Sequence, residues 1–510
     1  MSKNKLIQGT IVLTIAGILT RIIGFFYRIF LSNAMGAELL GIYQLIFPVY
    51  GVCFTIFASG LQTAISRMVA AYSGKKQLKE LKHILLLSIG ISISLALGLS
   101  IIVYSSAGFI ATRLINEPRC IGSLRILSYV FPFAGVTSCI NGYYYGLKKT
   151  SVPASTQLIE QIVRVIFVYI LVGVLGDGNI KVTCEMACLG LIIGEVASNI
   201  YNILSLFMAK TPKSMIQTTK ATVNPSKNKH ILKELSSLAV PLTANRLLLS
   251  LLHSFEAVLI PIMFRKYGLS VAESLSLFGI LNGMAMPFIL FPSAITNALA
   301  VLLLPTISEA QALGNDKMIG RSTSLAIKYS LIIGIFSTGV FVLFGNHLGT
   351  LIYHNATAGT YIRLLALLCP FLYVTTTLGS VINGLGKAHI TFINSVIGTI
   401  VRIVMIVVLM PTTGFWGFLV SSLTSQLLIT ILDGRAILKE THFTLDSTNS
   451  LLKPFIIIAF TGMIFLKVFE YLAKATAINQ VVTLLCCCCL LTLVFTGFLF
   501  MFHAISKQDF

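Results

Sequence analysis

Two arginines, Arg21 and Arg28, interrupt an otherwise apolar run near the start of the chain, LIQGTIVLTIAGILTRIIGFFYRIFL. On an α-helix their spacing of seven residues is close to two turns, so both guanidinium groups leave one face about 10 Å apart along the axis. Gly17 and Gly24 share that face. The stripe Gly17, Arg21, Gly24, Arg28 is a positively charged groove on a helix whose other sides are Ile, Leu, Phe and Val. A planar guanidinium presents paired donors that match the oxygens of a phosphate. Inside a membrane segment such a group costs about 3 kcal/mol on insertion scales, so it faces a bundle interior or a water-filled cavity.

Other charged residues stand in similar surroundings. The segment VPLTANRLLLSLLHSFEAVLIP sets Arg246, Ser250 and His253 along one helical face, with Asn245 beside them and Glu256 farther round and farther along. Arg164 has Glu160 one turn earlier, which reads as a local ion pair that fixes packing. Arg402 has no acidic residue within a turn in sequence. Arg67 closes an apolar run beside a Lys-rich stretch, where snorkelling to the interface accounts for it. Taken singly, each arginine also fits structural pairing or carbonyl capping. Taken together, Arg21, Arg28, Arg246 and Arg402 against Glu160, Glu195 and Glu256 leave a positive interior that an anionic substrate would satisfy. The four arginines are the candidate contacts; Arg164, Glu160, Asn245, His253 and Glu256 are supporting cavity candidates.

The elements that position these residues follow from composition. Hydrophobic residues make up 56% of the 510 residues and charged ones 11%, with a mean hydropathy of +0.91. These are the proportions of an integral membrane protein. The apolar runs are about 20 residues or longer, the length of a membrane-crossing helix, and lack the alternation of barrel strands. Fourteen such runs are expected, the first near 7–31 and the last near 481–503. The first is expected to be a permanent helix, being too long for a cleaved signal peptide.

The net charge of +20 is expected to reflect topology and a charged interior, with no nucleic-acid partner: placing both termini in the cytoplasm puts most Lys and Arg in inside loops. Cys486 to Cys489 point about 100° apart in succession along a helix, so they read as small apolar filler and no metal site is expected. His347, His354 and His389 lie near helix ends and read as interfacial. No nucleotide-binding loop, metalloprotease motif or nucleophile with an adjacent base is present, and neither enzymatic activity nor a cofactor is expected.

An internal repeat organises the chain. SCINGYYYGLKKTSVPASTQLIEQIVRVIF from Ser138 resembles SVINGLGKAHITFINSVIGTIVRIVM from Ser380, and a Pro-Phe pair precedes each at Pro132 and Pro370. Arg164 and Arg402 are equivalent in it. The expected architecture is all-α, with two pseudo-symmetric six-helix lobes running the same way and two C-terminal helices, a relation that places a cavity between lobes. The boundaries are an N-terminal lobe over 1–209, a cytoplasmic linker over 210–235 without apolar periodicity, a C-terminal lobe over 236–440 and two added helices over 441–510. Pro48, Pro132, Pro287, Pro292 and Pro370 fall inside spans, where each is expected to bend its helix.

The opening QGTIVLTIAGILTRIIGFFYRIFLSNAMGAELLGIYQLIFPVY, the segments ASGLQTAISRMVA and L-T-A-N-R, and the fourteen-helix count resemble one known group. It is the stage V sporulation protein B and polysaccharide biosynthesis family of the multidrug, oligosaccharidyl-lipid and polysaccharide (MOP) exporter superfamily. The resemblance extends to MurJ-like lipid II flippases and covers the whole chain. It implies a multi-pass protein of the cytoplasmic membrane that moves a lipid-linked peptidoglycan precursor, lipid II, to the outer leaflet by alternating access for spore cortex synthesis. The implied partner is a lipid-linked oligosaccharide of the undecaprenyl-pyrophosphate type, with membrane lipids and glycan polymerases as companions. In that family, arginines of the first helix and of the second lobe meet the pyrophosphate. Arg21 matches the motif directly; Arg28 stands one position off it and is followed by Ile29 where an acidic residue is usual. By the same resemblance the last two helices extend a groove for the isoprenoid tail. The rival readings are a cation-coupled multidrug exporter of the superfamily, which calls for acidic residues in the first-lobe cavity, where the first helix has none, and a non-transporting scaffold or polymerase of glycan synthesis. A reporter fused to either terminus is expected to resist membrane-impermeant reagents in intact cells, and modification from outside would reverse the topology.

Overall fold

The computed structural model describes residues 3–75, 77–175, 182–208, 225–441, 443, 446–475 and 479–505. Among them the regular structure is helical: α1 (Lys3–Phe54), α2 (Gly60–Gly74), α3 (Leu78–Phe109), α4 (Cys120–Ser128), α5 (Val130–Gly146), α6 (Ser151–Leu175), α7 (Cys184–Met208), α8 (Pro225–Lys266), α9 (Val271–Gly279), α10 (Met286–Leu290), α11 (Ser293–Ala312), α12 (Asp316–Tyr353), α13 (Ala356–Leu365), α14 (Cys369–Gly384), α15 (Ala388–Thr413), α16 (Phe415–Glu440), α17 (Lys453–Ala475) and α18 (Gln480–Met501). Thirteen described helices are long and apolar enough to cross a membrane, or fourteen with α4 and α5 taken as one span bent by 42°. The expected fourteen agree.

Helix breaks follow backbone chemistry. Gly36 has φ 75° and ψ 171°, outside the helical region, and divides α1 into two segments; a positive φ is open to glycine at no steric cost. Pro48 alone among the prolines expected to bend spans lies deep inside a helix. Pro132 and Pro370 stand in the first turns of α5 and α14, Pro287 in the first turn of α10, and Pro292 caps the start of α11. Pro132 stands beside the 42° bend of the α4–α5 span, Pro287 and Pro370 fall inside the spans Val271–Leu290 and Ala356–Gly384, and Pro292 lies between two spans.

The expected linker also changes. Residues 209–224 lie outside the described set, but Pro225–Leu235 already belong to α8. Ile231 and Leu235 are one turn apart and buried against Leu61, Ile65 and Leu81. An apolar stripe too short to stand out between lysines is enough to extend the helix when a partner surface exists.

Contacts divide the chain into two compact units: Met1–Tyr27 with Ile42–Leu259, and Arg28–Gly41 with Ile260–Phe510. These differ from the expected lobe boundaries at two places, since residues 28–41 join the second unit and 236–259 the first. Small residues explain the second exchange. In the first unit α8 lies against α1 and α2 where Gly51 faces Ser250, Ser254 Oγ donates to the Pro48 carbonyl at 3.0 Å, and a Cβ on Gly60 would meet the Thr243 nitrogen at 2.8 Å. In the second unit α17 packs on α12, with Gly339 under Ile458 and Gly462 under Leu343, and α18 places Phe495 against Phe336. His347, read as interfacial, sits with its ring 4.9 Å from that of Phe469.

Within each unit the repeat recurs as matched hydrogen bonds. Thr156 Oγ1 donates to Asn202 Oδ1 at 2.7 Å between α6 and α7; at the equivalent place between α15 and α16, Asn394 Nδ2 donates to Asp433 Oδ1 at 2.7 Å. Thr156 and Asn394 each precede the repeat arginine by eight residues. Thr137 and Thr375, each five residues after the repeat proline, bond Glu195 at 3.2 Å and Gln426 at 2.8 Å. Composition alone does not produce such correspondence. Close approach in each pair needs a glycine: a Cβ on Gly194 would come within 2.8 Å of the Glu160 carbonyl oxygen, and one on Gly398 would overlap the Ile429 side chain. Gly194→Val and Gly398→Val are each expected to cost about 1–3 kcal/mol through overpacking, read as lower melting temperatures in detergent, whereas Gly434→Val, with nothing within 4 Å, should melt as the parent.

Candidate functional site

The candidate residues separate by unit and by partner. Arg21 is exposed on α1 in the first unit. Three residues later, Gly24 lies close enough to α6 that a Cβ would sit 3.3 Å from Gln161 Nε2, and Tyr27 is buried. One face of the helix therefore packs on α6 while Arg21 stays open. Arg28 is also exposed but belongs to the second unit, as does the half-buried Arg402.

Arg246 is exposed on α8 and is held by α2's approach. Its Nη1 donates to the Ser59 carbonyl at 2.5 Å and to Ser59 Oγ at 2.8 Å. Ser59 ends the π-helical turn Thr55–Ser59; widened turns of this kind leave backbone carbonyls turned away from the helix ladder and recur at functional sites. Arg67 is exposed on α2. Asn245 is exposed next to Arg246. His253 Nδ1 stands 3.7 Å from Glu256 Oε2, with the imidazole exposed and the carboxylate largely buried. Among the described residues neither Arg21, Arg67 nor Arg246 forms an ion pair with a carboxylate.

Arg164 differs. Its Nη2 bonds Glu160 Oε1 and its Nη1 reaches Gln161 Oε1 at 3.3 Å, both on its own helix. Gly190 and Gly194 of α7 make room for this pair: Gly194 would place a Cβ 3.3 Å from the Arg164 Cβ. Beside it, Glu195 accepts from Thr137 at 3.2 Å, and Asn199 donates to Thr137 Oγ1 at 2.9 Å and to the Glu195 carbonyl at 3.0 Å. This is an internally paired polar cluster rather than an open cation.

Arg67, read as an interface residue, is exposed on α2. Asp433, fully buried against Asn394, was absent from the set of buried carboxylates because it lies near the end of its run and two residues before Arg435.

Thirteen or fourteen apolar spans among the described residues, in two related halves, define a multi-pass membrane protein fold. Two solved structures share it: an inward-facing multidrug resistance MATE family transporter of the MOP superfamily (TM-score 0.68, 15% identity, covering 85% of this chain and 99% of that one) and the lipid II flippase MurJ in an inward closed conformation (TM-score 0.67, 16% identity, covering 96% and 98%). The chain belongs to the polysaccharide biosynthesis protein family, whose model matches residues 6–311. Curated relatives include stage V sporulation protein B of Bacillus subtilis (strain 168), 26% identical over 100% of this chain and 98% of the relative, and the lipid II flippase MurJ of the same organism, 23% identical over 79% and 77%.

The Glu160–Arg164 pair is half-buried, and removing one partner leaves the other charge without its match. Glu160→Ala and Arg164→Ala are each expected to lower the melting temperature, and the double variant to melt above both singles; additive losses would show that the pair is not coupled.

Proposed function

We propose that the protein is a flippase for a lipid-linked oligosaccharide carrying a pyrophosphate, of the lipid II class, moving it from the cytoplasmic to the outer leaflet by alternating access. The observation that carries this reading is the openness of Arg21 and Arg246: two guanidinium groups exposed within membrane-spanning helices and engaged by no described carboxylate. Such groups are expensive in a membrane unless an anion or a water-filled cavity meets them. The family and the named relatives support an anionic glycan lipid over an organic cation, and relatedness to a sporulation protein supports a role in spore cortex synthesis.

The energetics agree with an export route that needs no nucleotide. A pyrophosphate with about two negative charges is driven outward by an inside-negative potential at roughly 2.3 kcal/mol per charge per 100 mV. Arg21 and Arg246 bind the pyrophosphate from the cytoplasmic side, and Arg28 and Arg402 are further candidate contacts. Asn245 and the His253–Glu256 pair line the same route, and the Glu160–Arg164 pair supports α1 from behind. The chain acts as a carrier and performs no covalent chemistry on the lipid.

Arg21→Ala or Arg246→Ala should abolish lipid movement in a leaflet-accessibility assay with labelled lipid II in vesicles, while membrane insertion and folded yield stay at the parent level. Full activity in both variants would refute the reading, and a parent protein that moves no lipid would favour a scaffold or polymerase.

A further inference from the structure

Along α8 the residues that meet the α1–α2 run recur at intervals of one turn. Thr243 lies on Gly60, Arg246 bonds Ser59, Ser250 faces Gly51, and Ser254 Oγ donates to the Pro48 carbonyl. Spacings of three, four and four residues keep them on one face of the helix, while their partners run back along the chain from Gly60 to Pro48. Arg246 therefore leaves a face whose packing is fixed one turn before it and one turn after it.

Ser59 holds this guanidinium by one nitrogen. Both bonds come from Nη1, to the Ser59 carbonyl at 2.5 Å and to its Oγ at 2.8 Å. A planar guanidinium has two forks that match a pair of oxygens, the end-on Nη1–Nη2 pair and the side-on Nε–Nη2 pair. Anchoring Nη1 breaks up the first fork and leaves the second whole. Among the described residues Arg246 has no other hydrogen-bond or ion-pair partner, and its side chain is exposed. The free edge presents two parallel N–H donors, which fit two oxygens of a single phosphoryl group. An unanchored arginine would lose its rotamer freedom on binding, and the Ser59 contact removes part of that cost beforehand. We propose that Ser59 is a positioning residue for the lipid pyrophosphate: its carbonyl and hydroxyl fix the Arg246 guanidinium so that the Nε–Nη2 edge receives one phosphoryl group. This rests on the reading of the chain as a carrier of lipid pyrophosphates.

The test measures binding of undecaprenyl pyrophosphate to the purified full chain in nanodiscs. Ser59→Ala removes the hydroxyl and keeps the carbonyl; it should weaken binding about tenfold, and Ser59→Thr should bind as the parent does. In an Arg246→Ala background, itself weaker, Ser59→Ala should change nothing further. Arg246→Lys should recover little of the loss, because an ammonium has no fork. The Ser59 variants should melt at the parent's temperature. Parent-like binding by Ser59→Ala alongside weakened binding by Arg246→Ala overturns this inference and spares the functional reading. Equal losses from Ser59→Ala with and without Arg246 make the residue structural and overturn it too. A parent that does not bind the lipid overturns the functional reading and this inference with it.

Discussion

A guanidinium group keeps its charge at any accessible pH, and a hydrocarbon interior gives that charge nothing to bind. Every arginine within a span must therefore be matched by a carboxylate, by carbonyl oxygens, by water or by a ligand, and the arrangement of the first unit follows from how each match is made. Arg164 takes a carboxylate from its own helix, and α7 approaches through two glycines to close over the pair. Arg246 takes a backbone carbonyl and a hydroxyl from Ser59, at the end of a widened turn. Among the described residues Arg21 and Arg67 take neither and are exposed. The helix contacts hold two kinds of cation apart, one internally neutralised and one available.

Close helix approach makes this sorting possible. Without a hydrophobic force between helices in lipid, small residues and shared hydrogen bonds set the contacts. Gly60 on Thr243, Gly51 beside Ser250 and Ser254 on the Pro48 carbonyl bring α8 against the α1–α2 run. That contact places Arg246 in the first unit although it lies past the long polar interruption. The repeat gives an internal comparison: the two pairs of helices keep the same hydrogen-bond positions while Glu195 is exchanged for Gln426 and Asn202 for Asp433. The scaffold of each pair thus tolerates a change of charge, and electrostatic character was free to diverge between the halves.

Much of this was legible in the sequence because it depends on neighbours along the chain. Apolar length marks a span wherever about 20 consecutive residues exclude charge, so the number of spans and the all-helical class follow from residue order. The Glu160–Arg164 pair was legible for the same reason, being one turn apart. The repeat could be seen from I-N-G and I-V-R and then recognised again in side-chain contacts. The helical start of α8 escaped because Ile231 and Leu235 form a stripe only two residues long, whereas the bend at Pro132 was legible because a missing N–H and a ring clash act on the neighbouring turn.

By itself, then, the sequence determined the membrane-spanning class, the helical elements, the two-fold repetition and the excess of positive charge inside them. Tertiary structure alone decided which positive charges are available. Ser59 and Arg246 are 187 residues apart, and their meeting depends on the rotation of α2 and α8 about their axes. Those rotations are set by where glycine, serine and threonine let two backbones meet, a property of facing surfaces that no single stretch of chain contains.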